Sequence, residues 1–286
     1  MTTTQNTPAS EADDLFKDLQ DLPAITSRQT RVDLLNDAKR GFVRIRKDFV
    51  QQEAAPRGDT VLAKLVNGHK ENALNALLTV HALQPILSDS PLPLAAWARL
   101  LNCTPRAAGA ALRVLETMNL LELSGTRVVP EIRLKRENGD GKPWSNTAES
   151  DRQGRGFFTI PFDFWTDGTI DNLGMAGKAM FLILLKETQD PNAKQKTFVM
   201  ANERAQGWYG ISERTAERGY LQLRNANLLL EMPQLVPEAR HPLGRREEWH
   251  RALSSPYSSN HRESLRLLAQ KAAKSINTTS TTKDPA

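Results

Sequence analysis

The chain carries an internal duplication, and this constrains its fold more than any other feature. GFVRIRKDF, from Gly41 to Phe49, recurs as GFFTIPFDF from Gly156 to Phe164, with Gly, Phe, Ile, Asp and Phe at equal spacing. Thr104 to Leu121, TPRAAGAALRVLETMNLL, recurs as Ser212 to Leu229, SERTAERGYLQLRNANLL. This second pair shares Arg106/Arg214, Ala108/Ala216, Leu115/Leu223, Asn119/Asn227 and a closing Leu-Leu. The offsets are 115 and 108 residues and the order is the same, so one module is read twice along the chain. A length of 286 residues suits that reading, at about 150 residues per domain.

Apolar spacing predicts the elements of each copy. Glu71 to Leu87 keeps helical spacing and stops at a Ser/Asp/Pro cluster, and Leu94 to Leu101 follows as a short helix. Thr104 is placed as an N-cap with Pro105 at the first helical position, where its missing N–H costs nothing. The helix from Pro105 turns Ala108, Leu112, Leu115 and Met118 to one face. Asn119 suits a left-handed helix end, and Leu120 to Leu134 reads as a hairpin turning at Ser124-Gly125. In the second copy the helices are Met175 to Thr188, about Asn202 to Trp208, and Ser212 to Ala226 with Ala216, Tyr220 and Leu223 inward. A longer hairpin follows, with Leu228 to Arg240 outgoing, a turn at residues 241–244 and Arg245 to Leu253 returning; Pro233 and Pro237 make its outgoing strand irregular or an edge.

Composition divides the rest. Residues 1–40 form an acidic, partly disordered N-terminal segment, and within it Asp13 to Asp21 is amphipathic, with Leu15, Phe16, Leu19 and Leu22 as its apolar face. That stretch suits a partner-binding or self-covering role, or a solvated helix. Residues 41–137 and 157–257 are the two modules, with net charges of +4 and zero. Residues 138–156, rich in Gly, Ser, Asn and charge, read as a flexible linker. Residues 258–286 read as a basic helix, His261 to Lys274, and a disordered tail; the helix is assigned to dimerisation or to lying along DNA.

The order of helix, short helix, tight turn, helix and β-hairpin, with the pattern Ser/Thr-x-Arg-x-Ala-x6-Leu-x3-Asn-Leu-Leu, resembles winged-helix DNA-binding proteins. The tandem arrangement also resembles plasmid replication initiators built from two winged helices. The resemblance implies a mainly α chain with small β-hairpins (α+β), made of two tandem winged helix-turn-helix domains. It also implies that the helices after Thr104 and Ser212 enter the major groove, whose width fits a helix. The outward residues are then Arg106, Ala107, Ala110 and Arg113 in the first copy and Arg214, Thr215, Arg218 and Gln222 in the second. Arg pairs with guanine and Gln with adenine, while Thr104 and Ser212 at the helix starts suit phosphates. Arg127 beside the first hairpin turn, and Arg240, Arg245 and Arg246 beside the second, suit phosphate or minor-groove contact. Each of these arginines also fits a solvated surface charge, and recurrence at Arg106 and Arg214 favours function.

The net charge of +5 fits an anionic partner. No phosphate loop, His-Glu-x-x-His or Gly-x-Ser-x-Gly pattern is present, and His69, His81, His241, His250 and His261 include no closely spaced pair. No enzyme activity, cofactor, metal or small-molecule ligand is therefore expected. Tyr209, Tyr220 and Tyr257 read as core or interface, the tryptophans Trp97, Trp165, Trp208 and Trp249 as core, and Cys103 as a small buried residue in the turn before the third helix. With one cysteine, no secretory signal pattern and no membrane-length apolar run, a cytoplasmic, nucleoid- or plasmid-associated location is expected. The expected partners are double-stranded DNA and a second copy in a homodimer. The leading role is a transcriptional regulator, with a plasmid or phage replication initiator as rival and a protein-interaction scaffold as the third reading.

Overall fold

The computed structural model describes residues 23–53, 56–88, 90–145, 156–190 and 196–280, with side chains described as far as residue 272. About half the described residues are helical, and their strands form three antiparallel sheets of two strands each. The first half comprises α1 (Ser27–Ala38), β1 (Phe42–Arg46), α2 (Val61–Asn67), α3 (Glu71–Leu87), α4 (Leu94–Leu100), α5 (Pro105–Thr117), β2 (Leu121–Gly125) and β3 (Pro130–Leu134). The second comprises β4 (Phe157–Pro161), α6 (Asp163–Thr166), α7 (Thr169–Asn172), α8 (Met175–Glu187), α9 (Ala205–Tyr209), α10 (Glu213–Asn225), β5 (Leu229–Pro237) and β6 (Arg245–Leu253). Helix α11 (Ser259–Ser280) follows.

Two helices are apolar on nearly every side, and each becomes the centre of its half, because such a helix lowers its free energy only when surrounded. From Ala73 to Leu83 every residue of α3 is buried, and so is every residue of α8 from Ala176 to Lys186. The other helices are one-sided and pack around these two.

The two copies of the repeated strand pair with each other. In the antiparallel ladder of β1 and β4, Phe42 faces Pro161, Arg44 faces Thr159 and Arg46 faces Phe157. Phe42 and Phe157 occupy the same place in the two repeats, as do Arg46 and Pro161. Each strand therefore meets its own copy as it would across a two-fold axis, which is the geometry of an isologous contact. Side chains join the halves elsewhere too. The Trp165 indole N–H donates to the Thr79 hydroxyl at 3.1 Å, and the Lys178 ammonium meets a Glu71 carboxylate oxygen at 2.5 Å. The hydrophobic core is correspondingly one cluster that runs through both halves.

Segments outside the two modules are more structured than composition implies. Residues 27–38, in the expected partly disordered segment, form α1, opened by the Thr26 side chain accepting from the Gln29 N–H. Its Arg31 is 1% exposed and donates to the Leu100 carbonyl at 2.7 Å and to both Asp171 carboxylate oxygens, tying α1 to α4 and α7. Residues 138–145 of the expected flexible linker fold back as a turn: Lys135 bridges Pro143, and the Trp144 indole N–H donates to the buried Glu137 carboxylate at 3.2 Å. Residues 146–155, the acidic stretch Asp13 to Asp21 and the end of the C-terminal tail lie outside the described residues. The C-terminal helix is present as α11, held by buried Arg262, whose guanidinium donates to the carbonyls of Tyr257, Leu185 and Thr188. No described helix is long and apolar enough to cross a membrane.

Candidate nucleic-acid interface

Helices α5 and α10 lie 108 residues apart and share their local chemistry at both ends. The Thr104 hydroxyl accepts from the Ala107 N–H and the Ser212 hydroxyl from the Thr215 N–H, each at 3.2 Å, satisfying a donor that the first helical turn leaves open. Two residues before each cap the backbone is left-handed, at Asn102 (φ 50°) and Gly210 (φ 68°). Asn119 and Asn227, just past the helix ends, are both left-handed at φ 57° and turn the chain into a hairpin. Gly210 suits its place for a second reason: a Cβ there would lie 2.1 Å from the Gly58 carbonyl oxygen.

Inner faces follow the sequence pattern closely. Ala108, Ala111, Leu112 and Leu115 of α5 are buried, and so are Ala216, Gly219, Tyr220 and Leu223 of α10. Met118 is half-buried at the edge. On the outer faces, Arg106, Ala110 and Arg113 of α5 and Arg214 and Arg218 of α10 are exposed, with Ala107 and Thr215 half-buried. Neither Arg106, Arg113, Arg214 nor Arg218 makes an ion pair with another described side chain, so four guanidinium groups stand open to solvent on two related helices.

Gln222 departs from its expected outward role. It is half-buried, and its side-chain oxygen accepts from the Gly177 N–H at 2.8 Å, so it closes an open donor in the first turn of α8. A helix-period count places Gln222 near Arg218, but the close approach of α8 turns it inward. Ser212 and Thr215 also bond each other, hydroxyl to hydroxyl at 2.8 Å, which occupies part of the polar surface expected to meet phosphate.

The hairpin arginines divide. Arg127 lies exposed in the turn between β2 and β3, and Arg240 and Arg245 are exposed around the turn between β5 and β6. Arg246 is held between two carboxylates, Glu238 at 3.3 Å and Glu248, so its charge is largely neutralised in place. Trp249, expected in the core, is 42% exposed on β6, and Trp208 is half-buried; Trp97 and Trp165 are fully buried and the three tyrosines nearly so. Cys103 is half-buried rather than buried, and its surroundings push the thiol pKa up, away from thiolate chemistry.

Lys64 and Lys70, which the sequence pattern does not single out, lie against the C-terminal half of α5. Lys64 lies on α2, a helix of seven residues whose apolar pattern is too short to be distinctive, and Lys70 is the N-cap of α3. Among the described residues no group of three or more His, Cys, Asp and Glu is arranged to hold a metal ion. No protein-family model, curated protein or solved structure matches this chain.

Proposed function

We propose that the chain binds double-stranded DNA with sequence preference through two winged-helix modules, with α5 and α10 reading major grooves, in the role of a transcriptional regulator. The observation that carries this reading is the pair of related helices, capped alike and buried alike, that keep Arg106, Arg113, Arg214 and Arg218 exposed without a described acidic partner. An Arg aimed at a guanine edge supplies about 1–3 kcal/mol of discrimination, which is the step from non-specific attraction to preference.

The strand pairing supports a specific kind of site. The β1–β4 ladder has the register of a two-fold contact, which favours a reading in which α5 and α10 meet DNA as the two reading helices of a dimer would. One chain then suits two half-sites in opposite orientation, with centres about one DNA turn, ~34–36 Å, apart. The replication-initiator reading is favoured by a different feature: two non-identical modules that share one core suit an asymmetric site repeated in tandem, with one chain per repeat.

Selection of bound duplexes from a random library, followed by salt titration, tests the proposal. The expected result is an inverted, imperfect pair of half-sites whose affinity falls steeply with salt. Promoter sites in the source genome favour the regulator and iterated origin sites favour the initiator. Absence of salt-sensitive binding refutes both and favours the scaffold, a reading consistent with the zero net charge of residues 157–257.

A further inference from the structure

The most exposed large apolar side chain among the described residues is Leu243, 77% open to solvent at the tip of the β5–β6 hairpin. One exposed leucine is ordinary, but this one stands on a braced turn. The Glu238 N–H donates to the Gly244 carbonyl at 3.0 Å, the Gly244 N–H to the His241 carbonyl at 2.8 Å and the Leu243 N–H to His241 Nδ1 at 3.2 Å. Pro242 has its φ fixed by its ring, and Gly244 takes the left-handed φ of 63° that the turn needs. The leucine therefore projects from a fixed base.

The charge around it narrows what it can meet. From Glu238 to Arg246 the chain carries three arginines against one glutamate, and that glutamate is held by Arg246 at 3.3 Å. Arg240 and Arg245, one on each side of Leu243, are exposed and meet no acidic side chain among the described residues. An apolar protein surface would bury these two cations unpaired, and an acidic one offers the leucine nothing. The minor groove of a duplex satisfies both, with phosphates along its two rims and an apolar slot between base pairs wherever the stack is parted.

The hairpin is also long enough to reach it. Arg224 of α10 donates to the Glu231 carboxylate at 2.6 and 2.8 Å, which fixes the base of the ribbon to that helix. From Glu231 to Pro237, six strand steps span about 20 Å at ~3.4 Å each. Half a turn of DNA, the distance from a major groove to the next minor groove, is about 17 Å. The first hairpin, with ladders of five pairs rather than nine, extends about half as far.

We propose that Leu243 is a wedge that enters the minor groove beside the half-site read by α10, parts one base step and kinks the duplex, with Arg240 and Arg245 on the phosphates of the two rims. The proposal rests on the DNA-binding function above and adds a mechanical action to it: the protein bends the site that it reads. The strands themselves stay outside, because the groove is only about 6 Å wide, so the tip alone enters. Pyrimidine–purine steps unstack most readily, and selected sites should carry TA or CA/TG about half a turn from the α10 half-site.

The test uses the full chain and the duplex recovered from the random library, at saturating protein so that a weaker variant is still read fully bound. Energy transfer between dyes at the two duplex ends measures the bend, and 2-aminopurine at the expected step brightens when that step is parted. The parent should bend the duplex by about 20–90° and brighten the probe. Leu243→Ser, an exposed change, should leave the duplex nearly straight and the probe dark, while Leu243→Met, which keeps an apolar wedge, should act as the parent does. A straight parent complex, a bend unchanged in Leu243→Ser, or a bend lost equally in Leu243→Met overturns the wedge and leaves DNA binding standing. A parent that binds no duplex refutes the DNA-binding proposal, and the wedge with it.

Discussion

Two glycine-to-alanine substitutions, one in each of the related helices, should move stability in opposite directions. Helix propensity alone favours alanine over glycine by about 0.8–1 kcal/mol at a helix interior. At Gly219 in α10 the added Cβ would lie 2.3 Å from the Met180 side chain and 2.5 Å from the Ala176 carbonyl oxygen, both on α8. Met180 can change rotamer, but the carbonyl belongs to a helix buried on almost every side. Ordinary contact requires α10 to retreat by most of an ångström, opening its packing against α8, and overpacking of this kind costs about 1–3 kcal/mol. With backbone as the obstacle the upper part of that range applies, leaving Gly219→Ala destabilised by about 1–2 kcal/mol after the propensity gain. At Gly109 in α5 the nearest atom is the Leu94 side chain at 3.4 Å, an ordinary contact, so the propensity gain survives. At about 2–4 °C per kcal/mol, Gly219→Ala should lower the melting temperature by about 4 °C and Gly109→Ala should raise it by about 2 °C. Thermal and urea unfolding followed by circular dichroism measure both. A Gly219→Ala protein as stable as its parent would refute the packing argument, because α8 and α10 would then have room that the structure denies them.

Asp171→Ala should destabilise the chain by about 3 kcal/mol, since it leaves the Arg31 guanidinium buried without its counter-charge. Arg31→Met should cost less, because Asp171 is 33% exposed and keeps its water; urea midpoints that rank the two the other way would sink this account. His81 is buried with both ring nitrogens free of hydrogen bonds, and burial, then the nearby Arg46, lower its pKa from 6.5 to about 3. The unfolded chain takes up this proton below pH 6.5 and the folded chain does not, so stability is full above pH 6.5 and declines as pH falls towards 3, by at most about 1.4 kcal/mol per unit. Glu137, 4.0 Å from the ring, has a pKa raised by burial, so the fold gains that proton more readily and offsets part of the loss at the acid end. His81→Leu should flatten the decline between pH 6.5 and 5; an unchanged slope in urea midpoints would show that another group carries it. Arg106→Ala and Arg214→Ala should each reduce sequence discrimination by about 1–3 kcal/mol, whereas Gln222→Ala should lower stability and leave base preference unchanged. Competition binding with matched and mismatched duplexes separates these, and a specificity change in Gln222→Ala would return that residue to the DNA-facing set.

The sequence by itself determined the elements whose causes are local. The span of α3 from Glu71 to Leu87, the caps at Thr104 and Ser212, the left-handed Asn119 and the presence of the two hairpins each follow from a handful of neighbouring residues, although the first hairpin turns at residues 126–129 and not at Ser124-Gly125, which stay in the ladder facing Glu131 and Pro130. The duplication likewise exposed the equivalence of α5 and α10, and so which arginines to compare. Tertiary structure decided the features that depend on distant chain. The α1 sequence, TSRQTRVDLLNDA from Thr26, has little apolar content, and its helix is fixed by Arg31 reaching Leu100 and Asp171, about 70 and 140 residues away. Gln222 turned inward because α8 approaches at Gly177, and Arg246 was neutralised by carboxylates across and along its hairpin. The pairing of β1 with β4 is the largest of these decisions. Nothing in either nine-residue repeat indicates that it meets its own copy rather than another edge, because a strand's pattern specifies which face is apolar and leaves the partner to whichever edge the buried helices α3 and α8 bring alongside.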